Sequence, residues 1–70
     1  MSNKQLASND NKREALLLAQ ATIKHTEKNI YYRDLSSLHN FIHKLSAGET
    51  RNKVTLEECE RIVNIAKKYT

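Results

Sequence analysis

Leu35, Leu38, Ile42 and Leu45 recur at i, i+3, i+7 and i+10, with Phe41 beside them. Only an α-helix keeps side chains at that spacing on one face, because 3.6 residues per turn returns every third or fourth residue to the same side. The stripe predicts a helix over 31–46. Gly48, the single glycine of the 70 residues, follows and is placed to stop that helix. Ile30, Tyr31 and Tyr32 are residue types that favour strands. Three of them with no second strand to pair with make no sheet. They read as the start of the helix, with the tyrosine rings packed and their hydroxyls wet.

Two more helices follow from the same arithmetic. Asn9, Asp10 and Asn11 are competent N-caps, and Glu14 stands three residues after Asn11 as in a capping box. Leu16, Ala19 and Ile23 share a face that Leu17 and Leu18 widen. Asn29 can close the turn in a left-handed conformation. This predicts a helix at about 11–27. Glu49 to Lys53 read as a solvated connection. Thr55 and Glu58 then match a capping box, with Val54 and Cys59 at the hydrophobic-staple positions. Glu57, Glu58 and Glu60 lead this helix and Lys67 and Lys68 end it, both in the sense its dipole favours. Leu56, Cys59, Ile62, Val63, Ala66 and Tyr69 form its apolar face over about 56–69. The expectation is an all-α, three-helix domain over 11–70, preceded by a flexible polar tail at 1–10.

A core this small rarely supplies more than about 3–5 kcal/mol without a staple. One cysteine makes no internal disulfide, and it points to a reduced, cytoplasmic setting. The longest apolar run, Ala15 to Ala19, is far below the roughly 20 residues of a membrane span, and no secretory apolar segment opens the chain. The remaining staple is a second subunit, so a homodimer is expected.

Catalytic and metal chemistry find little to work with. His39 and His43 share one helical face, but two imidazoles fall short of a zinc ligand set, and neither His25 nor Cys59 sits in a supporting motif. Cys59 has only Arg61 as a basic neighbour in sequence and lies on an inward face, where a thiol behaves as a small apolar group. One glycine cannot build a phosphate-binding loop, and no nucleophile elbow is present. The expectation is a protein that is not an enzyme and holds no metal or cofactor.

The net charge of +4 and the pI of 9.4 suit a phosphate-facing surface. Arg51, Lys53, Lys67 and Lys68 are the candidate nucleic-acid contacts. A helix-turn-helix is disfavoured, since the first turn lacks glycine, the second connection is long, and the third helix leads with glutamates that repel phosphate. The candidate core or interface residues are Leu16, Leu17, Ile23, Leu35, Leu38, Phe41, Ile42, Leu45, Ile62 and Val63.

Around Asn29-Ile30-Tyr31-Tyr32-Arg33-Asp34-Leu35, the chain resembles the small enterobacterial biofilm and acid-response regulators of the YmgB/AriR type. Ile30, Arg33 and Leu35 stand where that family opens its second helix. Ile42-His43-Lys44-Leu45 and the closing Lys68-Tyr69-Thr70 are also similar, so the likeness spans about 15–70. The chain departs from the family in lacking a glycine in its first turn, in needing a two-residue offset, and in being basic. The resemblance implies an all-α homodimer acting in gene regulation, by DNA contact or as a connector to a signalling protein.

The leading expectation is therefore a small cytoplasmic regulatory protein acting through helix-face contacts, with itself or with a larger regulatory protein. The alternative is a DNA-binding transcriptional regulator that meets phosphates through scattered basic residues. A third reading, a phage- or plasmid-encoded inhibitor of a host protein, predicts the same fold.

Overall fold

The structure, a computed structural model, describes residues 5–26 and 29–69. Its elements are α1 (Asn9–Thr26), α2 (Tyr32–Ser46), α3 (Gly48–Arg51) and α4 (Leu56–Lys68). The fold is all-α, as the periodicity predicts, with four helices among the described residues rather than three. Residues 1–4 of the expected tail, Glu27 at the expected end of the first helix, Lys28 and Thr70 lie outside the described residues.

The helix caps decide where the elements begin. Ser8, not Asn9 to Asn11, caps α1: the Asn11 N–H donates to the Ser8 hydroxyl at 3.1 Å. Ahead of it, Ala7 N–H donates to the Val54 carbonyl at 3.0 Å and Leu56 N–H to the Gln5 carbonyl at 2.8 Å. Leu6 thus lies opposite Thr55 in an isolated antiparallel bridge, and Ala7 is buried. Gln5 to Asp10, expected in the polar tail, are tied to the body by backbone groups that no side-chain composition reveals.

The expected glycine stop after α2 is absent. Ala47 adopts an extended conformation (φ −101°, ψ 127°) and ends the helix, while Gly48 starts α3 without positive φ. Side chains of this turn satisfy the orphan carbonyls of α2. The Thr50 hydroxyl donates to Lys44 O at 2.6 Å and the Arg51 guanidinium to Leu45 O at 3.5 Å. The expected solvated connection is for that reason a short helix. Asn29 does not turn left-handed either, since no described non-glycine residue has positive φ; its N–H closes the turn on the Thr26 carbonyl at 2.8 Å.

At α4 the expected capping box is present. Glu58 N–H donates to Thr55 Oγ1 at 3.2 Å, and Thr55 N–H returns to Glu58 Oε1 at 3.3 Å. Val54 and Cys59, at the staple positions, are both buried.

The three long helices run up, down and up, with α1 packed on both α4 and α2. Its innermost residues are Lys12, Ala15, Ala19 and Thr22. Relative to the expected face, α1 is rotated so that alanines lie at its centre and let the other helices approach closely, while Leu16 and Ile23 fill the flank. The Thr22 hydroxyl is satisfied within the helix by Leu18 O at 2.8 Å. Leu38, Phe41 and Leu45 of α2 and Cys59, Ile62, Ile65 and Ala66 of α4 complete the core with Val54.

Candidate interaction surface

The up-down-up order gathers the C-terminus of α1, the N-terminus of α2 and the C-terminus of α4 at one end of the bundle. A polar network fastens it. Tyr69, at the C-cap of α4, donates its hydroxyl to Asp34 Oδ2 at 2.6 Å and accepts the Tyr31 N–H at 3.0 Å. Lys68 Nζ reaches the same carboxylate oxygen at 3.2 Å. The Tyr69 hydroxyl, with help from Lys68, holds the Asp34 carboxyl below its usual range against the opposing pull of burial.

Tyr31 and Tyr32 stand beside this network with their side chains in solvent, at 62% and 79% exposure. Their rings are not packed, contrary to the sequence expectation. Tyr69 instead supplies the half-buried aromatic contact. Among the described residues, this end carries Lys24, Arg33, Lys67 and Lys68 against Asp34 alone.

The opposite end is organised by Glu58. Lys44 Nζ meets Glu58 Oε2 at 2.6 Å and links α2 to α4. Burial raises the Glu58 carboxyl, but the Lys44 ammonium and the Thr55 N–H and hydroxyl together outweigh it and leave it below the usual range. Arg51 is half-buried against the Leu45 carbonyl of α2, and Lys53 is exposed near it in the chain. The four candidate nucleic-acid contacts are therefore divided: α4, about 20 Å long at 1.5 Å per residue, separates Arg51 and Lys53 from Lys67 and Lys68.

The ten candidate apolar residues separate by burial. Leu38, Phe41, Leu45 and Ile62 lie in the core, and Leu16, Ile23, Ile42 and Val63 pack against it part-buried. Leu35 is half-buried. Leu17 is 60% exposed and projects from the side of α1 opposite Ala15 and Ala19. Leu6, at 59%, is the other exposed leucine of that degree.

His39 and His43 are exposed on α2, and no group of three His, Cys, Asp or Glu side chains converges among the described residues. Burial first, then the Glu58 and Glu60 charges, pushes the Cys59 thiol up, so it is a poor nucleophile at neutral pH. The basic group that reaches it is Lys12 of α1 rather than Arg61. An open trough between α1 and α4, about 420 Å³, has Cys59 in one wall and Glu14, Glu60 and Lys67 on its rims. No helix among the described residues is long and apolar enough to cross a membrane.

Sequence reasoning gave Lys24 no part, used Arg33 and Asp34 only as positions of the family resemblance, and assigned Tyr31 and Tyr32 to packing. Two adjacent aromatic residues at a helix start were the available signal, since successive helical positions point about 100° apart and cannot both face a core. Comparison with known proteins adds no assignment: no family model, curated protein or solved structure matches the chain.

Proposed function

We propose that the chain is a small non-enzymatic regulatory protein that works through its helix faces, with a second copy of itself as its first partner. The observation that carries this reading is Leu17, 60% exposed on the outer side of α1. Its setting strengthens the point. Among the described residues, four of the eleven buried apolar ones are alanines (Ala7, Ala15, Ala19 and Ala66), so the core is thin even for this length. Burying a leucine contributes roughly 1.5–3 kcal/mol, a large increment for such a core. The resemblance to the biofilm and acid-response regulators points the same way, toward an all-α homodimer in bacterial gene regulation that acts by DNA contact or as a connector to a larger regulatory protein.

Light scattering at low micromolar concentration and two salt levels tests the reading. The expected mass is that of two chains at both salts, because apolar contacts respond weakly to screening. Leu17→Glu should return the mass to one chain with helical circular dichroism unchanged. A monomer at all concentrations, or a dimer that salt dissolves, overturns the apolar-face reading.

A further inference from the structure

The charge of this chain is unevenly placed. Outside the end that carries Tyr31 and Tyr32, the described residues hold six cations (Lys12, Arg13, Lys44, Arg51, Lys53 and Arg61) and six carboxylates (Asp10, Glu14, Glu49, Glu57, Glu58 and Glu60). That part is neutral. The tyrosine end holds Lys24, Arg33, Lys67 and Lys68 against Asp34. The carbonyl ends of α1 and α4 and the N–H end of α2 add about −0.5 charge together, which this excess outweighs.

We propose that this end of the bundle binds single-stranded nucleic acid, with Tyr31 and Tyr32 stacking on bases and Arg33, Lys67 and Lys68 meeting phosphates. Two features select that occupant. An exposed tyrosine ring offers a flat apolar face, and unstacked bases are the partners that can cover it; a duplex keeps its base faces closed. Two cations adjoin the tyrosines: Arg33 follows Tyr32 directly in the chain, and Lys68 is joined to the Tyr31 backbone through Asp34 and Tyr69, so base and phosphate contacts fall within a few nucleotides. That network also holds the Tyr31 N–H, so the backbone that presents the rings is fixed before a ligand arrives. An acidic peptide would satisfy the cations and leave the rings without a matching surface. This site is distinct from Leu17, and its test does not depend on the oligomeric state.

Fluorescence anisotropy of the full chain with a labelled twelve-nucleotide oligothymidylate, and with a duplex of equal length, decides the matter. The expected result at 50 mM salt is tighter binding to the single strand, weakening as salt rises. Tyr31→Ala/Tyr32→Ala should weaken it at least tenfold, since stacking contributes about 1–3 kcal/mol per base. Lys67→Glu should also weaken it and reduce the salt slope by about 0.7, the value for one phosphate contact on a single strand. Circular dichroism checks that each variant stays folded, which the exposure of all three side chains predicts. Absence of binding at 50 mM salt, equal affinity for the duplex, or a double-tyrosine variant that binds as well as the parent overturns the proposal.

Discussion

The Tyr69 hydroxyl donates to the Asp34 carboxylate at 2.6 Å and joins the C-cap of α4 to the first turn of α2. Tyr31, the N-cap of α2, has no side-chain cap bond of its own, and its N–H is satisfied by the same Tyr69 oxygen. One hydroxyl therefore does the work of a cap from 38 residues away. Tyr69→Phe should lower the melting temperature by a few degrees and speed amide exchange in the first turn of α2. Asp34→Asn should reproduce part of the effect. A Tyr69→Phe variant with unchanged exchange across 31–35 would show that the link does not hold α2.

Two carboxyl groups make the fold sensitive to acid, Asp34 in this network and Glu58 at the opposite end of the bundle. Asp34 sits below its ordinary 3.8 through Tyr69 first and Lys68 next, with burial opposing. Glu58 sits below its ordinary 4.5 although burial, its largest single influence, pushes upward; Lys44 and Thr55 together prevail. A carboxyl with a depressed folded-state pKa contributes stability that is complete above its unfolded pKa and is lost as pH falls through the folded value. The melting temperature should be level from neutral pH to about 5.5 and fall once the pH drops below about 4.5. Lys44→Gln should flatten part of that descent and Tyr69→Phe another part, as followed by thermal melts across the acid range.

Thr55 carries the start of α4, and losing its hydroxyl leaves the Glu58 N–H without its partner. Thr55→Ala should cost about 1 kcal/mol in urea denaturation, the usual magnitude for an N-cap, whereas Thr55→Ser should stay near the parent. Equal loss in both variants would assign the effect to the threonine methyl instead.

The α4 cap was legible in the sequence because a capping box is local: four consecutive residues contain all of its donors and acceptors. The stripe of α2 was legible for a similar reason, since its leucines and isoleucine repeat on one face. What escaped depends on partners far along the chain. The pairing of Gln5 and Ala7 with Leu56 and Val54 uses backbone groups alone. The rotation of α1 follows from how closely α2 and α4 approach, which favours Ala15 and Ala19 at the centre over the larger leucines. The tyrosine end is a product of topology, because Lys24, Arg33 and Lys67 stand on three different helices and share one end of the bundle only through the order in which those helices pack.

Gly48 distinguishes these levels by experiment. As a left-handed stop it would tolerate no side chain, and alanine there would destabilise the fold. Its φ is not positive, it opens α3, and a Cβ at this position meets nothing within 4 Å. Gly48→Ala should therefore stabilise the protein by about 0.4–1 kcal/mol, through the smaller conformational freedom of the unfolded chain. A lower urea midpoint would contradict the observed turn.

Ala19 and Leu17 test the rotation of α1 directly, because the sequence reading treated both as parts of one apolar face. Ala19 is fully buried, whereas Leu17 is 60% exposed. Ala19→Leu adds three carbons where the helices meet and should cost roughly 1–3 kcal/mol by overpacking. Leu17→Ala removes the same three carbons from a solvated face and should change monomer stability by less than about 0.5 kcal/mol. Urea titrations run below the dimerisation range isolate this comparison from association. At higher concentration Leu17→Ala should lose the concentration-dependent part of the parent's stability, while Ala19→Leu should retain it. Reversal of the two costs in dilute solution would place Leu17 in the core and remove the exposed leucine on which the dimer reading rests.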